Sequence, residues 1–452
     1  MAVIIKDGII GRASGSFRGD ILIDGEKIAA VGGSIYCGGA EVVNAAGRYL
    51  LPGGVDPHTH VMLRVGENSV SDGFKAATRA ALFGGTTTIV EHPSFEPQEA
   101  PLSAAVERTA AEGIGRSYTD FGIHLVFQRY GDDIAAELPT MTEAGFPTGK
   151  VYTTYGGRLT DEEIFPLMLA MKEAGGLLLY HCENNAVTNG LAAMLSREMP
   201  AARESWPLSR PDYCEAEAVR RVLALSRAAG VPAYIVHLST KEGLEEAIRA
   251  RRAGQMVYLE TCPQYLTLTE ECYKRDNGLD FVMAPPLRKS GDCDRLWRAL
   301  GQGDIDAVGT DHCSFSRADK ERLGAENVFK SPGGVPGIET RMELLFSEGV
   351  MKNRLSLERF VAVTATNPAS ILGLRDKGRI EAGADADLIL IDPEKSGILS
   401  AESLHQAVDY TPYEGIMVNG RVTDVWLRGA RVVEEGRLTA ERPAGRLLKR
   451  RL

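Results

Sequence analysis

From Gly54 to about residue 375 the chain alternates between short apolar runs with strand character and helical patterns, and this rhythm limits what it can fold into. The strand-like runs are 54–60, 86–91, 121–126, 149–153, 177–181, 233–238, 257–260 and 306–309, with helical periodicity between them at 74–82, 161–174, 215–229 and 242–253. Consecutive strands separated by helices pair in parallel, because a crossover is long enough to return the chain to the same end of the sheet. Eight such units predict an α/β fold of the (β/α)8 barrel type, in which reactive side chains gather at the C-terminal ends of the strands. The flanks read differently. Residues 3–55 and 386–433 are short strands broken by turn residues, with Asp-Gly hairpin cues at 7–8 and 24–25. They predict a small β-sandwich domain built from both chain ends, giving bounds of 1–53, 54–375 and 376–452.

Hydrophobic residues make up 44% and charged residues 25% of the chain, ordinary globular proportions that exclude disorder as its main character. A net charge of −10 argues against nucleic acid as the partner, since phosphate needs a basic surface. Seven cysteines, an odd number, make no disulfide framework. The first residues lack the charged and apolar regions of a signal peptide, and no apolar run reaches the ~20 residues of a membrane helix. A cytoplasmic location without membrane attachment is expected. The basic end, 447–451, reads as a solvated or interface-packed tail.

The barrel reading makes a demand that the residues meet. The first strand ends in His58-Thr59-His60, and two histidines two apart on a strand project to one side, so both imidazoles can reach one ion. The fourth carries Lys150, the fifth ends in His181, the sixth in His237 and the eighth in Asp311. Neutral imidazole and carboxylate are ligands suited to Zn²⁺. A single strand-terminal histidine, such as His92 or His124, is ordinarily a hydrogen-bonded structural residue, and His312 reads as structural or as a support for the ligands. Independent structural histidines, however, have no reason to share one barrel face. Lys150 remains open on its chemistry alone. As an ammonium it cannot ligate, so it is either a substrate-binding or Schiff-base lysine, or it carries CO2 as an anionic bridge between two metals.

Eight motifs then occur in order: Gly53-Gly-Val-Asp-Pro-His-Thr-His60, Gly149-Lys-Val-Tyr-Thr-Thr-Tyr155, His181-Cys-Glu-Asn184, Ile235-Val-His-Leu-Ser239, Glu260-Thr-Cys-Pro-Gln-Tyr265, Ala284-Pro-Pro-Leu-Arg288, Gly309-Thr-Asp-His-Cys-Ser-Phe315 and Gly334-Val-Pro-Gly-Ile-Glu-Thr-Arg341. Over essentially its whole length the chain resembles the dihydropyrimidinase/hydantoinase branch of the cyclic amidohydrolases. The segment 377–388 is similar to the point where such chains return to the β domain. The resemblance implies two divalent ions, usually zinc with Mn²⁺ or Co²⁺ as alternatives. His58, His60 and Asp311 would hold one, His181 and His237 the other, with Lys150 as an N6-carboxylysine and a hydroxide bridging them. It implies ring opening of hydantoins or dihydropyrimidines to N-carbamoyl amino acids: hydroxide attacks the ring carbonyl, Asp311 moves the proton, and Tyr155 stabilises the oxyanion. Tyr155, Ala284 and Gly333 would bind substrate, and the assembly would be a homotetramer.

The chain departs from the family at three places. Thr148-Gly149-Lys150 stands where Ser-Phe-Lys is common, Ala284 replaces a serine, and Pro332 is followed by Gly333-Gly334 instead of Asn-Gly. The last two positions are understood to engage the substrate amide largely through backbone groups. Their changes bear on pocket shape more than on activity. Allantoinase is the neighbouring alternative. Dihydroorotase fits less well, because Met62 occupies the place where that family tends to carry arginine. A non-catalytic scaffold would have lost ligands, and here all six positions are filled. The stretches 62–66 and 155–159 are expected to form the pocket rim and to accept an aryl or alkyl substituent at ring position 5, with a leaning to the D enantiomer.

Overall fold

The computed structural model describes residues 2–97 and 99–452. Five strands lead the chain: β1 (Val3–Arg12), β2 (Gly15–Asp24), β3 (Lys27–Gly32), β4 (Glu41–Asn44) and β5 (Tyr49–Pro52). The barrel strands are β6 (Gly54–Thr59), β7 (Thr86–Glu91), β8 (Asp120–Ile123), β9 (Thr148–Tyr152), β10 (Leu177–His181), β11 (Ala233–Ile235), β12 (Val257–Thr261) and β13 (Ala307–Val308). Four more close the chain: β14 (Leu388–Ile398), β15 (Met417–Leu427), β16 (Ala430–Glu434) and β17 (Arg437–Leu438).

The barrel strands pair in parallel from β6 to β13, with Leu125–Val126 carrying the ladder from β8 to β9. The ring closes where Asp311 N–H donates to the His58 carbonyl (3.0 Å) and His60 N–H to that of His312 (2.9 Å). These closing bonds lie at the first and last metal-type residues, so the ladder itself sets their spacing. Helices Gly73–Phe83, Leu102–Gly113, Asp132–Glu143, Asp161–Glu173, Asp212–Ala229, Lys241–Arg252 and Ser290–Gln302 follow the first seven strands. Their buried positions recur at helical spacing: Leu244, Ala247 and Ile248 face inward on Lys241–Arg252 while Arg249 and Arg252 face out.

The two chain ends join in one sheet of order β17-β16-β15-β14-β5-β1-β2-β3, with β4 beside β1. Its own core contains Ile5, Ile21, Ile28, Leu50, Leu388 and Trp426. The other face packs into the barrel's core, which includes Val418, Val425 and Val433 of the sheet. Buried Lys377 fastens the return of the chain, reaching Asp120 of β8 (2.6 Å) and Asp387 (2.7 Å).

Three local expectations need correcting. Asp7-Gly8 is not a hairpin turn but an irregularity inside β1, where pairing jumps from Ile5↔Ile21 to Gly8↔Gly19. Asp7 takes a left-handed φ of 61° and its N–H bonds Asp20 Oδ1 (2.9 Å), so the Asp-Gly pair serves a bulge and the chain reverses later, at 13–14. The basic tail is not simply solvated. Residues 445–451 run along the barrel, and Arg450 is 0% exposed, donating to the Ile123 carbonyl (2.6 Å) and Thr148 Oγ1 (2.7 Å). The sixth strand ends at Ile235, before His237, whose φ of 37° takes it out of strand geometry.

Gly149 gains a physical reason here. A Cβ there would lie 2.2 Å from Phe127 Cε2, so the ring of Phe127, arriving from beside β9, takes the space beside it.

Candidate active site

The barrel ladder brings His58, His60, Lys150, His181, His237 and Asp311 together at its C-terminal end. Asp311 Oδ1 lies 3.1 Å from His58 Nε2 and 3.2 Å from His60 Nε2. On the opposite side His181 Nδ1 and His237 Nε2 are 2.8 Å apart. Lys150 Nζ sits 3.1 Å from His58 Nε2, at the base of the site and fully buried. Donor atoms around one tetrahedral Zn²⁺, each about 2.0–2.2 Å from the ion, are roughly 3.3 Å apart, close to the separations about Asp311. Ligand atoms of His58, His237 and Asp311 also lie within 4.8 Å of one another, joining the two groups into one patch. The donor set therefore fits two adjoining divalent ions.

Outer partners fix which nitrogen His58 and His181 present, whereas Nδ1 of His60 and of His237 has no hydrogen-bond partner among the described residues. His58 Nδ1 is bound by Glu260 Oε1 (2.7 Å), which leaves Nε2 free to face inward. The same oxygen of Glu260 accepts the His237 backbone N–H (3.2 Å), and its other oxygen accepts the Tyr234 hydroxyl (2.8 Å). One carboxylate thus orients the His58 ring and holds the irregular turn at His237. His181 Nε2 is bound by Glu183 Oε2 (2.8 Å), which Arg210 Nη1 also reaches (2.6 Å). Glu183 and Glu260 lie within the sequence motifs, but the sequence reading assigned them no role. The signal was there for Glu183, since residue i+2 shares a side with His181. Arg210 carried none.

Burial sets the charge states of these side chains. It lowers His181, brings His60 down to about 4, and with the neighbouring His181 and Lys150 pulls His237 far down, so these rings stay in the neutral ligand form. Burial also lowers Lys150 to about 8, leaving a share of free amine near neutrality, the form that takes up CO2. Asp311 goes the other way. Burial disfavours its charge, but His58 and His60 more than offset this and hold it well below the usual carboxylate range.

Tyr155 has a left-handed φ of 73° and its ring lies 5.0 Å from that of His181. The Arg210 guanidinium lies 5.5 Å from the Tyr155 ring and 4.9 Å from that of Trp206. Burial raises the Tyr155 hydroxyl above its ordinary range, so it remains a proton donor. A cavity of about 890 Å³ opens over these groups and is lined by Tyr155, Ala284 and Gly333 as well as by His60, Lys150, His181, His237 and Asp311. Of the expected rim, Leu63, Arg64, Val65, Gly66, Tyr155, Gly156 and Gly157 line it, whereas Met62 and Leu159 pack inward instead. A Cβ at Gly333 would meet only Met283 Cα at 3.9 Å, so glycine here widens the cavity. Gly334, with φ 143° and Cys313 Sγ 2.5 Å from any Cβ, admits no other residue.

The remaining histidines divide. His124 is bonded to Thr148 Oγ1 (2.7 Å) and the Pro57 carbonyl (3.1 Å), as a structural histidine should be. His312 bonds Asp72 Oδ2 (2.8 Å) and accepts from the Gly337 and Ile338 amides, tying down the segment after Asp311. His92 departs from expectation. Neither ring nitrogen has a hydrogen-bond partner among the described residues, and the ring is stacked between His124 and His58 at 4.3 and 4.4 Å.

Comparison with known proteins places the chain in a family. Residues 49–432 match the model of the Amidohydrolase family. D-phenylhydantoinase of Escherichia coli O1:K1 is 39% identical, over 100% of this chain and 98% of its own. The crystal structure of dihydropyrimidinase from Brevibacillus agri NCHU1002 superposes with a TM-score of 0.98 at 38% identity, covering 100% of this chain and 99% of that one. D-hydantoinase from a Bacillus sp. AR9 gives a TM-score of 0.97 at 35% identity, with 99% of both chains covered.

Proposed function

The chain belongs to the amidohydrolase family, and from that premise we propose that it hydrolyses the ring amide of hydantoins or dihydropyrimidines to give N-carbamoyl amino acids. The observation that carries this reading is the meeting of six ligand-type side chains at one barrel end, with Asp311 Oδ1 within 3.2 Å of two imidazoles. Two divalent ions, for which we propose zinc, would be held by His58, His60 and Asp311 and by His181 and His237, with Lys150 between them as N6-carboxylysine. When bound they would supply Lewis acidity and a nucleophile from water at neutral pH.

The protein's own groups do the rest. Asp311, ionised and at the centre of the ligand patch, takes the proton of the attacking water and passes one to the ring nitrogen as the C–N bond breaks. Tyr155 donates its hydroxyl hydrogen to the carbonyl oxygen as charge develops there. Ala284 and Gly333 offer backbone groups to the ring amide. Leu63, Val65 and Phe95, which also line the cavity, suit an aryl or alkyl group at ring position 5. We take D-5-phenylhydantoin as the model substrate, a homotetramer as the assembly and the cytoplasm as the site of action, where seven free cysteines would remain reduced. Among the described residues no helix is long and apolar enough to cross a membrane.

The test compares rates on 5-phenylhydantoin, dihydrouracil, allantoin and dihydroorotate for protein purified with metal and bicarbonate. Ring opening of the first two with about two metals per chain is expected. A preference for dihydroorotate, or less than one metal per chain with no ring opened, overturns the reading.

A further inference from the structure

We propose that Lys320 is a positioning residue for substrate binding, clamping from behind the two backbone segments that carry Ala284 and Gly333. The proposal rests on the cyclic-amide reading, which makes those segments the seat of the ring amide.

Lys320 lies on the short helix Arg317–Gly324, is 0% exposed and does not line the cavity. Its Nζ donates to the Val282 carbonyl (2.9 Å) and to the Pro332 carbonyl (3.1 Å). Among the described residues it has no carboxylate partner at ion-pair distance. Asp280, which favours its ammonium form, is itself bound to Arg317 (2.9 Å). A buried lysine with no acid beside it is costly, and burial brings its ammonium down to about 7. Such a group persists where its hydrogen bonds do something a hydrocarbon cannot.

The bonds it makes share one purpose. The Val282 carbonyl also accepts the Gly334 N–H (2.9 Å), and the Met283 carbonyl accepts Trp206 Nε1–H (2.7 Å). The carbonyls of residues 282, 283 and 332 are therefore each engaged by a donor from the protein. The next residues along, Ala284 and Gly333, line the cavity and have no such ties to Lys320. Two segments separated by some fifty residues of chain are tied directly by the Gly334 N–H and, from behind, by one ammonium group, which has three donors, no acceptor and the reach to span them. Gly333-Gly334 is the most pliable stretch of this wall, so a clamp on the residue before it limits the freedom that the double glycine introduces.

The experiment compares K320M and K320Q with the parent enzyme on 5-phenylhydantoin. K320M is expected to raise KM about tenfold or more with kcat within about threefold, because uniform ring binding is lost and the metal chemistry is untouched. Metal content stays at the parent value. K320Q, which keeps an N–H2 donor of shorter reach, should fall between the two. A lysine that merely supports the fold would lower the melting temperature and leave KM alone, and that result overturns the proposal. Should K320M fail to fold, K320Q decides: faster amide hydrogen exchange at Gly334 with raised KM supports the clamp, and unchanged values of both overturn it. If the parent enzyme opens no cyclic ureide, the proposed function fails, and the exchange rate at Gly334 still judges the clamp.

Discussion

Replacing Tyr155 by phenylalanine removes one oxygen and nearly nothing else. The left-handed backbone at φ 73° is as uncomfortable for phenylalanine as for tyrosine, so that strain cancels in the comparison. The ring contacts with His181 at 5.0 Å and with the Arg210 guanidinium at 5.5 Å survive. What is lost is a hydroxyl that burial keeps protonated and that the proposed reaction uses as an oxyanion donor. Loss of one such donor costs about 10²–10³ in kcat, or about 2.7–4 kcal/mol of transition-state stabilisation. KM should shift far less, since the donor acts mainly on charge that develops during attack. The assay is steady-state opening of 5-phenylhydantoin, with metal content measured on the same preparation. Because burial moves the hydroxyl above its usual range, the variant's pH profile should keep the parent's shape up to pH 10, only lower. A loss under about fivefold in kcat, with metal content unchanged, would refute Tyr155 as an oxyanion donor.

Other outcomes follow from the same geometry. Arg210→Met strips Glu183 of the partner that holds it ionised, at about 2, and loosens His181. A chelator titration should show metal affinity falling about 10–100-fold. Dialysis against a chelator should abolish ring opening and lower the melting temperature, both restored by Zn²⁺ with bicarbonate; a ligand at a thousand times its Kd adds about 4 kcal/mol per site. Lys320 titrates near 7 when folded and at 10.5 when unfolded, so its burial penalty is absent above pH 10.5, grows as the pH falls and is complete below about 7. Denaturant titrations should therefore show the parent gaining on K320Q by up to about 1.4 kcal/mol per pH unit between pH 7.5 and 9.5. Gly149→Ala places a methyl 2.2 Å from Phe127 and should cost about 1–3 kcal/mol in such a titration, recovered in part by Phe127→Leu.

The elements most legible in the sequence are those with a single environment. β7 and β10 match the expected 86–91 and 177–181 residue for residue: Leu177–Tyr180 is an unbroken apolar run, as a strand covered on both faces should be, and Thr86–Val90 is a run of β-branched residues that favour strands. Where side-chain chemistry intervenes, the local code misleads. Asp7-Gly8 carries a hairpin signal, yet Asp20 captures its amide and turns it into a bulge. The proposed ligand residues were legible because each sits at or near a strand end, and the barrel rule converts those ends into one surface. Their supports were less so. Glu260 serves His58 across 202 positions, and Arg210 serves Glu183 across 27.

By itself the sequence determined the barrel with its β appendage, the six metal-type residues and the common side of His58 and His60. Periodicity and strand ends are properties of the local chain, and hydrophobic burial enforces them without reference to distant partners. Tertiary structure alone decided the rest: which nitrogen His58 presents, that Arg450 is buried under the barrel, and that Phe127 fills the space left by Gly149. It also decided that Lys320 joins segments whose carbonyls have no side-chain signature. These are contacts between groups far apart in the chain, and they exist only once the ladder has closed.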